Sequence, residues 1–265
     1  MQFRLILSCK PGATLIPFNY NYRLSGFLYN VLAGADQKYA HFLHEQGYAA
    51  SATRRFKLFT FSDLNIPDYR IDVAAGGIRV NSSGVEWLVS FYIDAAAQHF
   101  ITGLFRDQRC VIASPNHRAE LTIERVEALP VTVGADTVRL RTLSPLVIGE
   151  KDSRGMDQYL HPDDDRFGPL LAANLLGKWQ SVQGAAVGGL GASYTEADVG
   201  YRLLPGRTPR SRLLTIKEAS RAQTRLRGWY GFEFELSGPP ELLELALLAG
   251  VGRYNAEGCG CVGVA

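Results

Sequence analysis

The sequence predicts an α+β fold of two antiparallel sheets, each carrying helices on one face, and two observations support it. The first is that apolar residues change period along the chain, from the alternation of strands to the three-and-four spacing of helices and back. The second is that the succession strand, helix, strand, strand, helix, strand occurs twice within 265 residues. That is the order of a ferredoxin-like (RRM-like) unit, so the chain reads as two in tandem. Residues 1–133 form the first expected domain and residues 134–265 the second.

In the first half, residues 3–9 alternate as a short strand, and residues 23–32 place Leu24, Phe27, Leu28 and Val31 at helical spacing. Ala33-Gly34 is the expected break, Asp36 the N-cap of a second helix carrying Tyr39, Ala40, Leu43, His41 and His44, and Gly47 its stop. Strands are expected over 56–61, 69–73, 77–81 and 86–92, with Ala75-Gly76-Gly77 and Asn81-Ser82-Ser83-Gly84 as turns. A helix over 94–105 faces inward through Ala96, Phe100 and Leu104, and strands near Val111 and over 119–126 close the half. In the second half a strand is expected over 138–148, a polar loop without period over 149–159, and a helix over 163–179. Strands over 197–204, 213–217 and 229–236, a helix from Pro239-Pro240 and a last strand complete it.

Composition excludes several classes. With 46% hydrophobic and 20% charged residues the chain is globular. No apolar run approaches the roughly 18 residues of a membrane span, and no secretory segment opens the sequence. Cys9, Cys110, Cys259 and Cys261 are therefore expected as reduced thiols in a cytoplasm. The pair Cys259 and Cys261 has no accompanying ligand cluster, whereas a structural zinc wants four donors, so no metal is expected. Asp163-Asp164-Asp165 precedes an apolar helix and reads as an N-cap with first-turn acids. His99, His117 and His161 have no partner at ligand spacing.

The net charge of +2 conceals an uneven distribution. Residues 202–227 hold eight basic side chains against the single acid Glu218, and the remaining 20 basic and 25 acidic residues leave the rest of the chain at −5. A basic band on a slightly acidic body suits a polyanion partner. The C-terminal run Gly250-Val251-Gly252, five residues, Gly258-Cys259-Gly260 adds backbone that can adopt positive φ and bring N–H groups up to an anion. Arg253 and Tyr254, inside the run, add a phosphate partner and a stacking face. A dinucleotide site is disfavoured, because there the glycines precede a helix and here they follow one.

Several segments together resemble a known family. They are Pro17-Phe18-Asn19-Tyr20, then Leu24 through Asn30, Leu43-His44-Glu45, residues 57–62, Leu143-Ser144-Pro145, Asn174 through Trp179, and the double glycine motif. In this order they resemble the CRISPR repeat-processing endoribonucleases of the RAMP superfamily. The resemblance implies metal-independent cutting of precursor CRISPR RNA within each repeat by 2′-hydroxyl attack, leaving a 2′,3′-cyclic or 3′ phosphate and a 5′ hydroxyl, without cofactor. It implies Tyr29, His44 and Lys57 as the catalytic group, with Arg54 and Arg55 as alternative sources of the cation.

RNA contact is expected from Arg207, Arg210, Arg212, Arg221, Arg225 and Arg227, and from Gly250, Gly252, Arg253, Gly258 and Gly260. Repeat RNA is the implied partner, with other CRISPR effector subunits and a second copy of the chain left open. Read by itself, Tyr29 on its apolar helix is equally a core residue. RNA supplies its own nucleophile, so the protein must move protons and offset charge. Histidine suits either proton role, and a position near a helix C-terminus leans His44 toward acid or a shared role. A noncatalytic RNA-binding subunit on the same fold is the alternative function, since fold alone does not decide activity.

Overall fold

The computed structural model describes residues 1–114, 117–185, 192–218 and 221–265. Phe3, Leu5 and Leu7 are buried and alternate with Arg4 and Ile6 along the Gln2–Ser8 strand, which therefore offers one face to a core. It lies at the centre of a five-stranded antiparallel sheet in the order Phe59–Phe61, Gly84–Phe91, Gln2–Ser8, Arg118–Leu129, Arg109–Ala113. Three helices follow in the chain: α1 (Tyr20–Ala35), α2 (Gln37–His41) and α3 (Asp94–Leu104). Leu24, Leu28 and Leu32 of α1 and Ala97, Phe100 and Leu104 of α3 meet the sheet residues Trp87, Val89 and Phe91 in one core.

The second half repeats the plan. A four-stranded antiparallel sheet runs Gly200–Leu203, Glu233–Ser237, Thr137–Thr142, Val262–Val264, with α4 (Phe167–Ala185) and α5 (Pro240–Ala249) packed against it. Both sheets share the ferredoxin-like arrangement, in which the first strand sits between the third and the last; in the larger sheet Arg109–Ala113 is an added edge strand beside the last.

Several element boundaries differ from the expectation. Helix α1 runs through Ala33-Gly34, because burying Val31 and Leu32 offsets the roughly 1 kcal/mol that an exposed helical glycine costs. The expected strand over 56–61 is two: Arg55–Phe56 pairs with Tyr48–Ala49, and Phe59–Phe61 joins the large sheet, with Leu58 at φ 56 as the corner between them. The expected loop over 149–159 is a hairpin of Gly149–Lys151 and Asp157–Tyr159. The strand expected over 138–148 ends at Thr142, and that expected over 229–236 divides between Thr224–Tyr230 and Glu233–Ser237. Thr224–Tyr230 pairs instead with Arg210–Ile216 in a separate hairpin. Asp163, Asp164 and Asp165 lie before α4, where Asp164 binds Arg166.

The glycine run 250–260 lies where the two sheets meet. All four glycines are buried and all have positive φ, from 70° to 87°. Lys178 of α4, 1% exposed, donates from Nζ to the Gly250 carbonyl (2.6 Å) and the Gly252 carbonyl (3.1 Å). Asn255 Nδ2 donates to Val251 O and Cys259 O, Thr60 of the first sheet donates to Cys259 O, and the Gly260 N–H donates to Pro145 O. A Cβ on Gly260 would stand 1.9 Å from the Val251 carbonyl oxygen. Beyond this run, Asn19 holds the edge of the Arg210–Ile216 hairpin, donating to Thr215 O (2.7 Å) and accepting from Thr215 N (3.2 Å).

Gly260→Ala is expected to lower stability by at least about 2 kcal/mol, since it adds both a backbone collision and a left-handed strain. Chemical denaturation measures it. Burial lowers the Lys178 ammonium to about 7 from 10.5. Below pH 7 both folded and unfolded chains hold the proton and the full cost of burying the cation is present; as pH rises toward 10.5 the folded chain sheds it first, so this group's contribution to stability rises. The stability difference between the native chain and Lys178→Met is expected to shift in favour of the native chain by up to about 1.4 kcal/mol per pH unit across that window. A pH-independent difference would mean that the lysine titrates normally.

Candidate active site

A cleft of about 720 Å³ opens between α1, the turn after α2, the corner at Lys57, the glycine run, and the end of α3 with the Arg109–Ala113 strand that follows it. Tyr29 reaches it from α1, one residue beyond the buried Leu28, with its ring edge-on to Phe59 at 5.8 Å. Burial, with Glu257 and Glu45 nearby, pushes its phenol well above the ordinary tyrosine value. The group is therefore a hydrogen-bond donor at neutral pH.

Asp36 caps α2 by accepting from the Tyr39 N–H, and the chain then widens into one π-helical turn over Phe42–Gln46. Gly47, at φ 66, ends it with its N–H donated to Phe42 O. Such turns redirect a side chain that an α-helix would place elsewhere. Here the turn sets the His44 ring 4.9 Å from the Tyr29 ring at 83°. His44 Nδ1 lies 2.7 Å from Glu45 Oε1, and the imidazole holds that carboxyl below its ordinary value. An ionised carboxylate only accepts, so Nδ1 donates.

Lys57, at the corner before Leu58, donates from Nζ to the His44 carbonyl at 2.5 Å. Burial lowers its ammonium below the ordinary lysine value, against the opposing pull of Glu257 and Glu45. Tyr29, His44 and Lys57 thus line one cleft from three separate segments. Arg54 and Arg55, also weighed as the cation, do not line it; Arg54 lies over Phe56 at 5.7 Å and donates to Ala173 O.

Arg23, Arg106, Asp107, Arg109 and Glu257 of the cleft wall have no site role in the sequence reading, and Lys217 enters there only as part of the basic window. Burial raises the Glu257 carboxyl above its ordinary value, while a backbone hydrogen bond and the charges of Lys57, Lys217 and His44 pull it down. Its position between two glycine pairs was the available signal, but nothing in the spacing distinguishes it from Asn255. Among the described residues, no three His, Cys, Asp or Glu side chains are grouped to hold an ion.

The residues expected to touch RNA are only partly brought together. Arg207, Arg210, Arg221, Arg225 and Arg227 are exposed. Arg225 and Arg227 stand opposite Thr215 and Leu213, on the outward face of their hairpin, whereas Arg212 shares the other face with the buried Leu214 and Ile216. Arg212 differs from these: its guanidinium is bound to Asp63 at 2.8 Å and lies against the Tyr230 ring. Gly258 and Gly260, expected to offer N–H groups to an anion, donate them to Asn255 O and Pro145 O, and Gly250 and Gly252 accept from Lys178 through their carbonyls, so this backbone forms a joint inside the protein. Arg253 is half-buried, binds Asp157 and the Gly149 carbonyl, and lies over Tyr254 at 5.1 Å.

Two tandem ferredoxin-like units joined across a cleft with a tyrosine, a histidine and a lysine define a class of small α+β protein that comparison with known chains identifies further. Residues 128–264 match the family described as CRISPR associated protein Cas6, C-terminal, and residues 15–120 match CRISPR-associated protein Cas6, N-terminal. The chain belongs to the Cas6 family. It is 26% identical over 171 residues to the CRISPR-associated endoribonuclease Cas6 1 of Methanocaldococcus jannaschii, a match spanning 63% of this chain and 61% of that one. A solved structure described as a Cas6-related gene from Pyrococcus furiosus superposes with TM-score 0.80 at 20% identity, covering 100% of this chain and 98% of that one. Another, described as CRISPR associated protein Cas6, gives 0.71 at 22% identity over 100% and 99%. At these identities the likeness is one of fold.

Proposed function

We propose that the protein is an endoribonuclease that cuts precursor CRISPR RNA within each repeat, without a metal, by attack of a ribose 2′ hydroxyl on the adjacent phosphodiester. The observation that carries this reading is the convergence of Tyr29, His44 and Lys57 on one cleft, in a chain whose relative in M. jannaschii is named an endoribonuclease. The 2′ oxygen forms a bond to phosphorus as the bond to the 5′ oxygen breaks, giving a 2′,3′-cyclic phosphate and a 5′ hydroxyl.

His44 is the base in this reading. With Nδ1–H donated to the Glu45 carboxylate, the neutral imidazole keeps its lone pair at Nε2 for the 2′-hydroxyl proton. Tyr29, held protonated by burial, donates to a non-bridging phosphate oxygen. Lys57 offsets the phosphorane charge, and its lowered pKa makes it a stronger acid toward the departing 5′ oxygen. The segment 1–133 supplies these groups, and the segment 134–265 grips the repeat RNA with the outward arginines of its hairpin. The reaction is placed in the cytoplasm, where precursor transcripts are made.

The native chain, incubated in chelator with the repeat RNA of its own array, is expected to cleave it and to leave intact the same RNA carrying 2′-deoxy at the scissile nucleotide. His44→Ala is expected to slow cleavage by about 10²–10⁴-fold. Cutting of the deoxy RNA or an absolute need for a divalent ion overturns the mechanism, and full activity of His44→Ala favours a noncatalytic RNA-binding role on this fold. Neutralising Arg225 and Arg227 to Gln is expected to weaken repeat binding and to flatten the salt slope by up to about 1.4, at about 0.7 per contact with a single strand. An unchanged slope would place the RNA elsewhere.

A further inference from the structure

Apart from the two large sheets, Leu15–Pro17, Gly77–Val80 and Tyr69–Asp72 form a three-stranded antiparallel sheet in that order, which leaves Tyr69–Asp72 at an open edge. Ten large hydrophobic side chains are exposed among the described residues, and five of them, Phe18, Tyr69, Ile71, Val73 and Leu213, gather on this side. Tyr69, Ile71 and Val73 alternate along the edge strand and into the turn after it. Phe18 and Leu213 line a groove of about 540 Å³ together with Tyr69 and Ile71. An exposed apolar edge is a template for pairing with another chain, which proteins ordinarily blunt or cover.

The backbone of this edge is open as well. Val80 donates its N–H to Thr14 O and accepts from the Gly12 N–H, so both of its groups are turned away from Tyr69, which stands opposite it. Hydrogen-bonded and non-bonded pairs alternate along an antiparallel ladder. Arg70 and Asp72 therefore bond to the Gly77–Val80 strand, whereas Tyr69 and Ile71 turn N–H and carbonyl outward, where no further strand pairs among the described residues. Pairing across the edge must set Tyr69 or Ile71 against an outward residue of the other strand, which allows a second copy two central registers about a two-fold axis. With Tyr69 opposite Ile71, Arg70 meets Arg70 of the other copy, a like-charge contact that opposes pairing. With Ile71 opposite Ile71, Tyr69 meets Val73 and Arg70 meets Asp72, each twice by symmetry. Arg70 makes no ion pair among the described residues and faces Arg79 within its own sheet, while Asp72 binds Arg79 at 2.9 Å. The second register thus matches apolar with apolar and gives Arg70 the carboxylate that its own chain does not.

We propose that the chain forms a two-fold symmetric homodimer in which the Tyr69–Asp72 strands of two copies pair antiparallel with Ile71 on the axis, joining the two small sheets into one of six strands. The Ile71 N–H of each copy donates to the Ile71 carbonyl of the other, and Arg70 of each meets Asp72 of the other. The self-complementary order of one apolar and one charged pattern selects a second copy of this chain as the occupant. Such a dimer does not depend on what the cleft cuts.

Sedimentation equilibrium of the full chain, without RNA, tests the interface. The native chain is expected to pass from monomer to dimer between about 1 and about 100 µM, the range suited to a short interface. Ile71→Pro removes an N–H that the chain's own sheet does not use, and is expected to weaken the dimer at least about tenfold while the monomer melts near the native temperature. Arg70→Asp sets like charges against Asp72 at both contacts and is expected to do the same; within the chain it relieves the Arg79 contact, so it remains informative should the proline variant fail to fold. A chain that stays monomeric at about 100 µM, or a dimer that a folded Ile71→Pro or Arg70→Asp chain forms as tightly as the native one, overturns the interface. A monomeric native chain whose repeat-RNA binding falls on Ile71→Lys overturns it too, and gives this face to RNA.

Discussion

The molecule depends on a buried hydrogen-bonded joint in which the ammonium of one helix holds two carbonyls of a glycine turn. Lys178 lies on α4, which covers the second sheet, and Gly250 and Gly252 follow α5 on the same sheet. From there the chain crosses to the first sheet, where Thr60 and Asn21 donate to the carbonyls of Cys259 and Gly258. Removing a cation from water is expensive unless its protons are used, and this one has two acceptors within 3.1 Å. The arrangement fixes where residues 253–257 point, and so places Glu257 in the cleft beside groups that α1 and the π turn bring from the first sheet.

The cleft is assembled from segments that each break a local rule. Tyr29 is a polar aromatic on an apolar helix face, His44 sits in a widened helical turn, and Lys57 stands at a corner whose next residue has left-handed backbone. Each departure costs stability on its own. Together they bring an imidazole, a phenol and an ammonium into one opening, and a carboxylate from the far end of the chain balances part of the positive charge. Local cost concentrated in one place, with regular packing elsewhere, is the pattern expected where geometry serves chemistry more than folding.

The repeated βαββαβ order was legible because both central strands and most helices bury one face, and a half-buried element prints its period in the sequence. Where burial is absent the period is absent too: the 149–159 hairpin has exposed or half-exposed residues along both strands, and it read as a loop. The corner at Leu58 was invisible because leucine gives no sign of positive φ, so two strands read as one. Tyr29, His44 and Lys57 came from resemblance; the residues alone left Tyr29 as core. The glycines disclosed their backbone conformation and not their surroundings, because positive φ serves a buried joint as readily as an anion.

Charge position in sequence and charge position on the surface are different quantities, and the basic window shows why. Along a strand successive side chains point to opposite faces, so a run such as 210–216 paired with 224–230 must divide its cations between two environments. Arg212 falls on the inner face and is spent on Asp63; Arg202, on another strand, is spent on Glu235. Arg225 and Arg227 fall on the outer face, where no core competes for them. The field that reaches a polyanion is set by this outer subset and by the lysines within the cleft, and a count along the chain overstates it. An exposed pair of arginines also contributes little to folding, which leaves that pair's charge to be explained by what binds there.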